Sequence, residues 1–422
     1  REYVKALKRG DTALLMESRR PDIFRVMLGN IKPDEKVTIE ITYIEDTWIV
    51  DNELRWIVPT VIAPRYIPGS RISLGDNGLK LKKEEIVPED GHIFPSVGEA
   101  PYTLKLNALV KGLVGIKKVS SPSHSIEIEF IDNDVRVLLS RETELLDSDF
   151  ILSLLLDNNN ESSYITASGI SGEALGMVRL IMDPEKYGHG NESIQNNYSY
   201  IFMIDISGSM TGEKLKQAKR ALIISLRNLI NGDFFNIVAF ENNFSFFSQS
   251  AVPYSQANLD KADKWIKELR ASGGTEIYEP LRFVLEVIEH DDGLERILLL
   301  FTDGQVGNEK EIINLVKSNS NSLQLFPFGI DTAVNKYFID SLASSGNGMP
   351  EYIYPGERIE GKVIRQFSRI HMPYLANPAV YDRNGAKLKT VPVMPARLYS
   401  CDIFSFMVKS ESEETIREIK IK

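Results

Sequence analysis

Asp205-Ile206-Ser207-Gly208-Ser209 sets one carboxylate and two hydroxyls at every second position. The run follows an apolar stretch, residues 200–204, and precedes an amphipathic segment, residues 212–230, so it falls where a buried strand turns into a helix. Two further segments carry the same chemistry. Ser272-Gly273-Gly274-Thr275-Glu276 has two glycines that let the backbone approach closely, and Thr275 is predicted to open a helix, where a hydroxyl is favoured. The apolar run 297–301 ends in Thr302-Asp303-Gly304. Taken singly, an Asp or Ser before a helix is an N-cap and Asp-Gly is a turn. Taken together, Asp205, Ser207, Ser209, Thr275 and Asp303 make a set of five oxygen donors with no Cys or His among them. Oxygen-only sets favour Mg²⁺, Mn²⁺ or Ca²⁺ over Zn²⁺. Mg²⁺ is the expected ion, with Mn²⁺ and Ca²⁺ as alternatives. If the hydroxyls coordinate directly and the carboxylates act partly through water, the cation stays under-neutralised and keeps a position for an external carboxylate.

The elements around these residues explain how they could meet. Residues 200–204, 234–240, 297–301 and 323–330 are short apolar runs without alternation, the texture of strands buried on both faces. Helical patterns separate them. Within 212–230, Leu215, Ala218, Leu222, Leu226 and Leu229 recur at intervals of three and four. Residues 259–269, 277–288, 309–316, 335–342 and 359–370 also read as helix. Alternating strand and helix predicts an α/β doubly wound, Rossmann-like domain with a mostly parallel sheet. Ligands of such sheets bind outside the carboxyl ends of the strands. Asp205 and Asp303 both end strands, so both are expected on that rim.

The remaining sequence is β-like, and the chain is expected to be multidomain. Residues 37–43 and 125–130 alternate apolar and polar side chains. Prolines punctuate the first part, a polar linker spans 183–197, and β texture returns after Pro373 at 403–408 and 416–421. The reading divides the chain into β-rich residues 1–68, a β-rich intermediate domain 69–187, the α/β domain 197–372 and a β-rich segment 373–422. That last segment is expected to complete the intermediate sandwich, with the α/β domain inserted. The opening Arg1-Glu2-Tyr3-Val4-Lys5 resembles the middle of a helix, and the chain is expected to be a fragment.

Bulk composition excludes several classes. The formal net charge of −10 and the lack of a basic stripe argue against nucleic acid as a partner. Apolar runs of about five residues fall far short of the ~20 needed to span a bilayer. A single cysteine, Cys401, excludes an intramolecular disulfide and a Cys-based zinc site. It fits a reducing compartment and a disulfide-free exported protein, with a slight lean to the cytoplasm. Neither a G-x-S-x-G elbow nor a phosphate-binding G-x-x-x-x-G-K-[ST] loop occurs. None of His92, His124, His189, His290 and His371 stands in a metal-ligand pair. Catalysis is not expected from these residues. Nothing in the sequence speaks to oligomeric state.

The D-x-S-x-S run at 205–209, Thr275 and Asp303, with their surroundings 202–210, 235–240, 273–276 and 301–304, resemble the metal-ion-dependent adhesion site (MIDAS) of von Willebrand factor A domains. The resemblance covers about residues 197–372. Residues 11–17, 20–24, 30–33 and 59–69 resemble the C-terminal half of a vault protein inter-α-trypsin (VIT) domain. Together these motifs are similar to VIT-type intracellular A-domain proteins and to inter-α-trypsin inhibitor heavy chains. The resemblance implies a non-catalytic, metal-dependent module that engages a protein ligand through a carboxylate. It also implies that the last helix, 359–370, can slide in a switch. The alternatives are a scaffold whose site is self-occupied or vestigial, and a non-catalytic piece of a larger enzyme. Glu276 and Asp331 are expected near the rim as solvated acids.

Overall fold

A computed structural model describes residues 2–20, 23–43, 49–50, 52–60, 73–75, 78–80, 103–113, 115–145, 148–157, 162–169, 173–181, 197–287, 294–320, 323–331, 334–354, 356–372, 374–399, 402–410 and 419–421. They fall into two compact units, Arg1–Asp46 and Thr47–Lys422. The boundary expected at residues 68 and 69, the linker at 183–196, residues 61–69 of the VIT-like motif, Cys401, His92, His189 and His290 lie outside the described residues.

In the first unit, helix α1 (Glu2–Arg9) precedes an antiparallel hairpin of β1 (Ala13–Arg20) and β2 (Ile23–Gly29). The alternating segment 37–43 is not a strand, contrary to the sequence reading, and Val37, Ile39, Ile41 and Tyr43 are exposed. Alternation defines a face, but a strand forms only where a neighbour accepts its backbone hydrogen bonds. No described strand lies beside this one.

The second unit begins with β-rich structure. Strand β3 (Glu53–Val58) pairs with β8 (Phe150–Leu156), which also pairs with β5 (Ile116–Ser120). A three-stranded sheet of β4 (Asn107–Val110), β6 (Ile126–Ile131) and β7 (Asp134–Leu139) shares a core with it, through Val135, Val137, Phe150, Leu152 and Leu154. Strand β9 (Ser163–Ser168) pairs with β10 (Ala174–Ile181). Beyond these strands the α/β region begins at β11 (Tyr198–Asp205).

Strand β11 is followed by α2 (Glu213–Arg227), β12 (Phe234–Phe240), α3 (Gln256–Glu268), α4 (Tyr278–Arg282), β13 (Glu295–Thr302), α5 (Glu309–Ser318), β14 (Leu323–Ile330), α6 (Lys336–Ser345), β15 (Glu351–Ile353) and α7 (Glu360–His371). The five strands run parallel in the order β12-β11-β13-β14-β15. Short antiparallel strands at Phe244–Phe246 and Val252–Pro253 pair with β12. Alternation along β11 builds both faces of the layer. Tyr200, Phe202 and Ile204 pack with Leu215, Leu222, Ile266, Val363 and Phe367 of α2, α3 and α7. Ile201 and Met203 pack on the other face with Leu281, Ile312, Phe338 and Leu342 of α4, α5 and α6. Burial of these strands on both faces is why their sequences show no polar alternation.

Strand β16 (Ile403–Ser410) returns to pair with β10 along its whole length, from Ala174↔Ser410 to Ile181↔Ile403. Segments before and after the α/β region thus share one sheet and one core, which includes Val178, Leu398, Phe404 and Phe406. Tyr198, at the start of β11, donates its hydroxyl to the carbonyl of Ile370 at 3.3 Å, so the region's first strand and last helix meet at the amino end of the sheet. Among the described residues no helix is long and apolar enough to cross a membrane.

Candidate metal centre

Asp205 is the last residue of β11, opposite Phe240 of β12, and is fully buried. Its Oδ1 accepts the amide of Ser207 at 2.9 Å, and its Oδ2 accepts the hydroxyl of Thr302 at 2.6 Å. The loop beyond it is stitched on both sides. The amide of Ile206 donates to the carbonyl of Phe240 at 2.9 Å, and the amide of Gly208 donates to the carbonyl of Gly273 at 3.0 Å. The amide of Ser272 donates back to the carbonyl of Ile206 at 2.8 Å. A Cβ at Gly208 would meet the Gly273 carbonyl oxygen at 3.0 Å, so the close approach depends on glycine there.

Ser207 precedes a short 3₁₀ turn but its side chain caps nothing; its hydroxyl lies 3.0 Å from that of Ser209. Ser209 in turn stands by the Asp303 carboxylate and favours its charged form. The sequence therefore misleads on Thr275, predicted to open a helix. Helix α4 starts only at Tyr278, whose amide is accepted by the Glu276 carboxylate at 3.2 Å. With Glu276 in that role, Thr275 is free of capping and lies buried in the loop just beyond Gly273. Hydrogen bonds thus link Asp205, Ser207 and Ser209, Asp303 lies beside Ser209, and Thr275 sits in the adjoining loop.

Asp303 follows β13 and is also fully buried. Its Oδ1 accepts the amide of Gln305 at 3.2 Å. Gly304 turns the chain at φ +74°, and its amide donates to the Thr302 hydroxyl at 3.0 Å. Thr302 therefore receives one hydrogen bond and directs its own proton at Asp205. Burial, then the negative charge of Asp303, pushes Asp205 up to about 7. Burial also lifts Asp303, against the pull of the Lys214 ammonium.

Two contributors escaped the sequence reading. Thr302 looked like the tail of an apolar strand. Lys214 lies in the first turn of α2, and its Nζ is 3.4 Å from Asp303 Oδ2 and 2.5 Å from Asp331 Oδ2. A cation in a first turn opposes the helix dipole, and that anomaly was the available signal. Burial works against the Lys214 charge, but Asp303 and Asp331 outweigh it and hold its pKa above the ordinary lysine value. Asp331 is accordingly not the solvated acid expected; it is 9% exposed and ion-paired. Glu276 is half-buried, and burial raises its pKa.

The donor set fits a hard divalent cation. Two buried carboxylates feel each other's charge, two serine hydroxyls stand beside them, and the Lys214 ammonium pairs with both Asp303 and Asp331. Among the described residues no three His, Cys, Asp or Glu side chains cluster in a metal-binding array. The two described histidines lie elsewhere: His124 is 2.9 Å from the Ser123 hydroxyl before β6, and His371 is 3.3 Å from the Tyr200 hydroxyl at the opposite end of the sheet.

Residues 200–352 match the von Willebrand factor type A domain family, and residues 1–43 match the vault protein inter-alpha-trypsin domain. Von Willebrand factor A domain-containing protein 5A of Homo sapiens is 29% identical over 88% of this chain and 48% of its own length. Von Willebrand factor A domain-containing protein 5B1 of Mus musculus is 32% identical, over 85% of this chain and 34% of its own length. The chain spans about half the length of the 5A relatives it matches. Among solved structures, a von Willebrand factor type A protein from Catenulispora acidiphila is 17% identical, with a TM-score of 0.43 over 61% of this chain and 67% of its own.

Proposed function

Since the chain carries a von Willebrand factor type A domain behind a vault protein inter-alpha-trypsin segment, we propose that it is a metal-dependent protein-binding module. In this reading Asp205, Ser207, Ser209, Thr275 and Asp303 hold one divalent cation, Mg²⁺ before Mn²⁺ or Ca²⁺. The ion's open position takes a Glu or Asp carboxylate from a partner protein. The observation that carries the reading is the pair of fully buried carboxylates, Asp205 and Asp303, with serine hydroxyls beside them on the carboxyl rim of a parallel sheet. Two such carboxylates repel each other unless a cation or a proton intervenes.

The chain's own residues have distinct parts in it. Thr302 orients the Asp205 carboxylate. Ser272 and Gly273 fix the spacing between the D-x-S-x-S loop and the Thr275 loop. The bound ion would supply a Lewis-acidic position for the partner's acid. No residue here is assigned to bond making or breaking.

A second reading, a scaffold with a self-occupied site, has an observation of its own: the Lys214 ammonium already reaches Asp303. Metal-dependent capture separates the two. Partner retention by the wild-type chain in Mg²⁺, lost on chelation and absent with Asp303→Ala, supports the metal-dependent module. Retention indifferent to chelator supports the scaffold.

A further inference from the structure

The candidate site has a cation of its own. Lys214 Nζ bridges Asp303 and Asp331, and the three side chains are 22%, 0% and 12% exposed. Asp303 belongs to the candidate ligand set, whereas Asp331 follows β14 and lies outside that set. Lys214 stands at the second position of α2, where the helix's own field disfavours a positive charge. Its place is held by the two carboxylates.

We infer that Lys214 is a built-in competitor of the divalent ion, and that it sets how tightly the site takes metal. This rests on the metal-site reading above. In the metal-free chain the ammonium neutralises part of Asp303. Were Asp303 to hold an ion, Lys214 would keep its pairing with Asp331, 2.5 Å away. Asp331 is thus the anchor that lets the lysine yield without leaving a buried charge uncompensated. The lysine would lower metal affinity by like-charge repulsion, because its partly buried ammonium lies 3.4 Å from Asp303 Oδ2.

Calorimetric Mg²⁺ titration of the whole chain tests this with wild type, Lys214→Met and Lys214→Arg, beside thermal melting in chelator. Lys214→Met is expected to bind Mg²⁺ at least about tenfold more tightly than wild type. It is also expected to melt lower in chelator, because the buried Asp303 then loses the ammonium paired with it. Lys214→Arg keeps the charge and is expected to bind within about threefold of wild type. Should Lys214→Met not fold, Lys214→Gln removes the charge while keeping a donor, and the same tightening is expected. Binding by the uncharged variant alone, with none in wild type, also supports the inference. Equal Mg²⁺ affinity in wild type and the uncharged variants overturns the inference while leaving the metal site standing. Absence of Mg²⁺ binding in every variant overturns the metal-site reading itself, and this inference with it.

Discussion

Thr302 and Asp205 close neighbouring parallel strands, and the threonine hydroxyl donates to the aspartate's Oδ2 at 2.6 Å with both residues fully buried. The carboxylate is thus aimed by the adjacent strand rather than by its own loop alone. Thr302→Val keeps the shape and removes the donor. It is expected to lower stability by about 1–3 kcal/mol, the cost of leaving a buried polar group without its partner. Thr302→Ser should recover most of the loss. Urea denaturation of the three proteins decides it; an unchanged valine variant would show that the hydrogen bond does not hold Asp205.

The loop spacing makes a separate demand. At Gly208 a methyl group would stand 3.0 Å from the Gly273 carbonyl oxygen and press the two candidate ligand loops a few tenths of an ångström apart. Gly208→Ala is therefore expected to weaken Mg²⁺ binding about tenfold or more, the scale seen when supports of a metal ligand are disturbed. Its circular dichroism should stay that of the wild type. Unaltered affinity would mean that the spacing of the loops is not what forms the site.

Far from the rim, Arg369 is 2% exposed and pairs with Asp402 at 2.8 Å and, at 3.6 Å, with Glu351. It ties α7 to the segment that enters β16. Arg369→Met leaves the buried Glu351 and the half-buried Asp402 short of a partner, and a loss of about 3–5 kcal/mol is expected. Chemical denaturation measures it; a loss below about 1 kcal/mol would mean that solvent or other residues take over.

The same cluster sets an acid limit. Burial pushes Glu351 up, but Arg365, then Arg369 and Lys362, outweigh it and hold its pKa below the ordinary value of 4.5. A lowered carboxylate contributes stability that is fully present above the unfolded value and is lost as pH falls through the folded one. Stability measured by denaturant should therefore decline below about pH 4.5, and the decline should shrink in Glu351→Gln. An identical acid profile in that variant would remove Glu351 from the explanation.

Much of the α/β region was legible because its strands are buried on both faces. Mostly apolar runs without alternation, such as 234–240 and 323–330, became strands with those bounds. The rim followed from the parallel order. Local pattern failed where a partner decides the outcome. Residues 37–43 alternate like a strand yet lie unpaired and exposed. Thr275 looked like a cap, but Glu276 accepts the helix amide instead. Residues 277–288 read as helix, and 278–287 are helical, α at Tyr278–Arg282 and π at Phe283–Val287. Lys214 and Asp331 are 117 positions apart, too far for any spacing rule to pair them. Their ion pair exists only because α2 and β14 bring their ends to one rim.

The central claim, that the D-x-S-x-S run is part of a divalent-metal site, is met most directly by calorimetric titration of Mg²⁺ into the wild-type chain and Asp205→Ala. A saturable heat in the wild type that vanishes in the variant is the predicted result. Equal heats in the two proteins would contradict it.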